Sequence, residues 1–240
     1  MNRNKLLIAA ITTFCYLAPC RNVCTAQRRS DTVFIKRVNV ESYHAIFIDT
    51  NRNSQYYTEL QNNLQSPFDS AFYFSNIADL KENKVLFKKN DLSGIPLDWK
   101  PLNYYNHKYY VYKPCDGIYS NWVRISDSTL LYYADGEMLV QTINDVKHVG
   151  QNKFSFTSTD IQGKAIRTNI YILDEQAGMA VFEYPGKSYA DRFELRVASD
   201  KIRNFPIIVN YSLEQKEEEL AFDKPDFRRL LSGQVATNKK

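Results

Sequence analysis

The chain has 240 residues, with 31 Lys and Arg against 27 Asp and Glu for a formal charge of +4, and 44% of it is hydrophobic. That is ample for one ordinary core, and the charge is too small for the electrostatic footprint of a nucleic-acid binder. Four cysteines and three histidines supply little for a disulfide scaffold or a metal site.

Residues 1–26 read as a secretory signal. Arg3 and Lys5 form a charged start, and Leu6–Phe14 and Tyr16–Ala18 form an apolar stretch too short to span a membrane comfortably. Cys24-Thr25-Ala26 then ends in the small residue that a signal peptidase accepts. Cleavage after Ala26 removes Arg3, Lys5 and Arg21 and no acidic residue, so the charge falls by three, from +4 to +1. It also removes Cys15, Cys20 and Cys24, leaving Cys115 as the one thiol. A competing reading takes Leu17-Ala18-Pro19-Cys20 as a lipobox with Cys20 acylated, although Pro19 stands where that motif has Gly, Ala or Ser. Membrane attachment is expected only in that case. The chain is expected to be exported to the periplasm, the outer-membrane surface or the medium. Residues 27–233 are expected to form one mainly β domain, and 234–240 a disordered tail.

Thr32-Val33-Phe34-Ile35 and Ala45-Ile46-Phe47-Ile48 are the first strand candidates, the second closed by a turn cluster at Asp49–Asn53. Ser54 is placed to cap a helix carrying Tyr57, Leu60 and Leu64 until Pro67. Phe68–Leu80 fits a helix opened by Pro67 or a strand through Phe72-Tyr73-Phe74, and Val85-Leu86-Phe87 reads as a short strand. In the aromatic segment Leu97–Pro114 the doubled tyrosines bracket a turn at Asn106-His107, with Tyr109–Tyr112 as the strand after it.

From Ile118 to Val197 apolar runs recur between turn signals at Asp135-Gly136, Gln162-Gly163 and Pro185-Gly186, the pattern of an antiparallel meander. In Arg192–Val197 charged and apolar residues alternate, which predicts one face on the core, with Phe193, Leu195 and Val197, and a wet face carrying Glu194 and Arg196. Phe205–Val209 reads as an edge strand or a strand start because Pro206 cannot donate to a ladder. Ser212 and Gln215 suggest a short helix through Phe222, and Asp223 or Asp226 caps a second helix ending at Gly233.

These elements predict a mainly β fold: a barrel or strongly curved antiparallel sheet from about Lys108 to Tyr211, with short helices in the N-terminal third and at the C-terminus. A two-sheet sandwich is the alternative. By strand count and spacing alone the outline resembles lipocalin-like barrels, with no residue motif of that family behind it.

Chemistry is sparse. His44, His107 and His148 stand in unrelated contexts, no Ser lies in a nucleophile elbow, and no glycine-rich loop cradles phosphate. No metal or cofactor is expected. The 17 Tyr and 14 Phe are the remaining signal. Trp99, Tyr104, Tyr105, Tyr109, Tyr110 and Trp122 are candidates for an aromatic-lined surface that takes a small apolar or carbohydrate ligand, or another envelope protein. The sequence therefore favours a non-catalytic binding or envelope-associated protein over a hydrolase. The hydrolase alternative would cut extracellular polysaccharide or peptide through a carboxylate site, whose two members need no fixed spacing.

Overall fold

The structure, a computed structural model, describes residues 32–39, 43–61, 67–115, 121–134, 136–212 and 219–237. It is a closed eight-stranded antiparallel barrel with a five-stranded sheet packed on its outer wall and short helices at the margins. Cys20, Leu64 and the Ser212–Gln215 capping box lie wholly or partly outside the described residues.

Seven barrel strands follow one another as the expected meander: β6 (Trp122–Ile125), β7 (Thr129–Ala134), β8 (Glu137–His148), β9 (Lys153–Thr159), β10 (Ala165–Asp174), β11 (Met179–Glu183) and β12 (Phe193–Ala198). Their turns follow the local chemistry. Ala134 pairs with Glu137 across the two-residue connection, with Gly136 at φ +78°, and Gly163 takes φ +77° between β9 and β10. Gly186 does not adopt a positive φ, because β11 and β12 are joined by a nine-residue loop rather than a tight turn.

The limits of the barrel differ from the expectation. Its closing strand is β3 (Asp98–Pro101), inserted between β12 and β6. The strands expected at either end, β5 (Lys108–Lys113) and β13 (Ile207–Ser212), belong to the second sheet, ordered β1 (Thr32–Asn39), β2 (Tyr43–Asp49), β13, β5, β4 (Asn103–Tyr105). Pro206 sits just before β13, which avoids a missing donor in a strand that is paired on both sides. At the tyrosine turn Asn106 and His107 take φ +45° and +62°, so β4 and β5 join through a two-residue hairpin.

The barrel interior holds Val123, Ile125, Leu130, Ile143, Phe154, Phe156, Ile170 and Phe182, the filled core expected of an eight-stranded barrel. Register then overturns the wet face of β12. Glu194 pairs with Phe182 and Ala198 with Trp99, so Glu194, Arg196 and Ala198 point inward with those core residues. Leu195 and Val197 point outward, into the apolar layer shared with Val111, Ile207 and Val209 of the second sheet. Both faces of β12 are thus largely dry.

Helix α1 (Gln55–Gln61) docks through fully buried Tyr57, whose hydroxyl donates to the Phe205 carbonyl at 2.6 Å. Ser54 does not cap it, since its Oγ is buried with no hydrogen-bond partner. Phe68–Leu80 is helical: in α2 (Pro67–Glu82), Tyr73, Ile77 and Leu80 recur at helical spacing against Trp122, Leu131 and Met138 on the barrel wall, leaving Phe72 and Phe74 exposed. Val85-Leu86-Phe87 is not a strand, because those residues enter a segment with no ladder partner. The helix expected through Phe222 is absent at 219–222, where Asp223 instead bridges to Tyr104. Asp226 caps α3 (Phe227–Thr237) by accepting from the Arg229 amide at 3.0 Å, and the helix runs past Gly233.

Candidate functional site

One end of the barrel is open as a cleft of about 850 Å³, within the usual range for small-molecule sites. Its floor is the top of the core: Trp99, Phe154, Ile172 and Ala198. Its rim carries His148, Gln151, Asn152, Glu175, Asp200 and Lys201, the last two in a 3-10 helix, Ser199–Asn204, and the others at the ends of β8 and β10 and in the turns after them. Gln61, Ser93, Asp98 and Ser199 also line it, and an apolar floor with polar side chains around it suits an amphipathic small molecule.

Residues 93–97, the end of the segment 85–97, form one wall. Asn90 anchors it with its side-chain amide, donating to the carbonyls of Lys88, Asp127 and Ile143 at 2.9, 3.1 and 3.1 Å. Leu92 to Ile95 then closes a turn, the Ile95 amide donating to the Leu92 carbonyl at 3.0 Å with Gly94 at φ +80°. This turn lowers Ile95 onto the core. Trp99 is held beneath it by an indole N–H to the Pro96 carbonyl at 2.7 Å, and its ring meets Phe182 edge to face at 5.3 Å.

Gly178 sets the opposite wall. It takes φ +74°, and a Cβ there would lie 2.6 Å from Cβ of Lys201 and 3.3 Å from Cβ of Ala198. Gly178→Ala is therefore expected to cost about 1–3 kcal/mol through backbone strain and to push the Lys201 segment outward. Comparative melting against Gly163→Ala, where nothing lies within 4 Å of the added atom, separates the clash from the strain alone.

At the other end, the interior is polar. Arg196, 2% exposed, donates from Nε to Glu194 Oε2 at 3.0 Å and from Nη2 to that carboxylate and to Asn121 Oδ1. The Tyr184 hydroxyl reaches the same Glu194 oxygen at 3.0 Å, and Tyr132 reaches Thr168 Oγ1 at 3.2 Å. Burial pushes the Tyr132 phenol up to about 12 and Tyr184 well above its ordinary value. Burial also pushes Glu194 upward, but Arg196 outweighs it and holds the carboxyl below its usual range. Glu183, on the outer wall, is likewise held low against burial by Asn169, Tyr171 and Arg192.

Lys100 is 6% exposed on the outer wall, with its ammonium 5.8 Å from the Trp122 ring centre. Burial, aided by Arg124 and Arg196 and opposed by Asp98, lowers its pKa to about 7. A lysine with a depressed folded value binds fewer protons folded than unfolded above that pH, so stability rises between about pH 7 and 10. The slope reaches at most about 1.4 kcal/mol per pH unit. Urea titrations across this range should show the rise in the wild type and its loss in Lys100→Met.

The six aromatic residues singled out by the sequence do not share one surface. Trp99 lies inside the barrel on the cleft floor, whereas Trp122 lies outside the wall, stacked on Tyr133 at 5.4 Å. Tyr110 is buried in the second sheet, and Tyr104, Tyr105 and Tyr109 are half-buried around the hairpin. Tyr104 meets Tyr109 at 5.2 Å, and Tyr105 meets Phe222 at 6.4 Å. His107 is exposed at the turn, and Cys115 Sγ lies 3.4 Å from Glu219 Oε1. Among the described residues no three His, Cys, Asp or Glu converge as a metal site, and no helix is long and apolar enough to cross a membrane. No family model matches the chain, and no characterised protein or solved structure is similar to it at a significant level.

Proposed function

We propose that this is an exported, non-catalytic binding protein that holds a small, largely apolar ligand in the cleft at the open barrel end. The observation that carries this reading is the cleft itself: about 850 Å³ over a floor of Trp99, Phe154 and Ile172, with polar side chains among the rest of its lining. The ligand's apolar body would lie on the core and its polar end would meet Glu175, Asp200, Lys201 or His148. Export is supported by the signal-like residues 1–26.

Trp99 reports on this site. Trp122 is the only other tryptophan, so the Trp122→Phe protein emits from the cleft floor alone. Titration with fatty acids, isoprenoids and alkyl glycosides should give a saturable change in Trp99 emission for one class. Gln151→Trp, an exposed rim position, blocks the cleft and in the native background should weaken retention of that ligand. No saturable change with any class, or binding unaffected by the block, contradicts the reading.

A further inference from the structure

We propose that the loop 84–89 on the flank of the barrel docks the protein on a membrane surface, seating Leu86 and Phe87 among the headgroups of an anionic bilayer. The loop reads Lys-Val-Leu-Phe-Lys-Lys, three cations and no acid around its apolar residues. Leu86 is 82% exposed and Phe87 37%, so neither serves the core.

The exposure is built in, because the loop is held at both ends. Helix α2 closes with Lys84 at φ +57°, the Lys84 amide donating to the Lys81 carbonyl at 3.0 Å and the Val85 amide to the Leu80 carbonyl at 2.9 Å, the two bonds of a Schellman end. Val85 and Leu80 then pack in the apolar layer on the barrel wall. At the far end the Asn90 amide donates to the Asp127 carbonyl at 2.8 Å, beside the three bonds of its side chain. Between these anchors Leu86, Phe87, Lys88 and Lys89 are all exposed. A loop fixed in this way has little conformational freedom to lose on docking.

The charges name the partner. Lys84 and Lys88 have no ion-pair partner among the described residues, and Lys89, 90% exposed, meets Asp127 only at 4.0 Å. Residues 81–90 carry four lysines and one acid, Glu82, and the next acid, Asp91, is turned back on the amide and hydroxyl of Ser93. Positive charge therefore dominates where the apolar side chains stand. A soluble polyanion would engage the lysines and gain nothing from Leu86 and Phe87, and a neutral apolar groove would gain nothing from the lysines. An anionic bilayer interface uses both, taking the apolar side chains below its headgroups and the ammonium groups at their level. None of these residues lines the cleft, so the inference stands apart from the ligand reading, and it requires no lipid on Cys20.

The full chain carrying Cys20→Ser, which excludes a lipid anchor, is mixed with phosphatidylcholine vesicles with or without about 30% phosphatidylglycerol, and the bound fraction is measured by flotation. Binding to the anionic vesicles should be at least about tenfold tighter than to the neutral ones. Leu86→Ser, and Lys88→Gln together with Lys89→Gln, should each weaken it at least about threefold and leave melting unchanged, because every altered side chain is exposed. Leu139→Ser, at a residue 56% exposed on the β7–β8 hairpin, should bind as the parent chain does. Brominated phosphatidylcholine in the anionic vesicles should quench a Leu86→Trp indole, while Trp99 and Trp122 are shielded by burial. No binding, equal binding to the two vesicle types, full binding by Leu86→Ser, or binding without quenching of the Leu86→Trp indole each overturns the proposal.

Discussion

Glu194→Ala is expected to destabilise the protein by about 3 kcal/mol, the lower end of the cost of breaking a buried ion pair by removing one partner. The loss arises at Arg196, which is 2% exposed and would keep its charge inside the barrel with only Asn121 as a remaining partner. Glu194 itself retains 32% of its side chain in solvent, which is why the upper end of the range is not expected. The pair also has a pH signature. Glu194 titrates lower in the folded protein than its ordinary 4.5, so its stabilisation is present above that value and is lost as pH falls through the folded one. Glu194→Gln should flatten the acid limb of the stability profile. Chemical denaturation of wild type and both variants at pH 7 and at pH 3 measures the two effects together; a Glu194→Ala protein as stable as wild type at pH 7 would show that water reaches Arg196 freely.

Phe156→Ala should cost about 3–5 kcal/mol. Phe156 is fully buried at the centre of the barrel, where strands on all sides keep the wall from collapsing into the void. Phe74→Ala, at a ring 67% exposed on α2, is the matched control and should stay within about 0.5 kcal/mol of wild type. Melting both variants against wild type is sufficient. A small loss at Phe156 would mean that the interior is loosely filled and that the barrel core has been misplaced.

Much of this fold is legible in short-range chemistry. Asp135-Gly136 signals a hairpin, Asn106-His107 a turn, Pro206 an edge or a strand start, and Asp223 or Asp226 a helix cap, all without tertiary information. What eluded the sequence depends on closure. Strand β3 is four residues long and ends in Pro101, so it reads as loop; it is a strand because β12 and β6 both need a partner there. The alternation in Arg192–Val197 has the expected period, and Leu195 and Val197 are buried as expected, but the face carrying Glu194 and Arg196 is not wet. Alternation says that two faces differ, and it does not say which is wet, because an ion pair can make a charged face habitable inside a barrel.

The cleft was invisible for a related reason. Its floor comes from β3, β9, β10 and β12, and one wall from residues 93–97, held by a glycine turn behind the Asn90 anchor. No spacing along the chain brings His148, Glu175 and Lys201 together. Of the aromatic residues the sequence singled out, Trp99 alone reaches this cleft.

Native mass spectrometry of the exported protein, purified from its own host under non-denaturing conditions, tests the central claim that the open barrel end is a ligand site. The expected result is a discrete non-covalent adduct of small-molecule mass on the wild-type chain, lost in Gln151→Trp and retained in Phe74→Ala. A wild-type spectrum showing only the bare chain, or an adduct that survives the Gln151→Trp block, would contradict it.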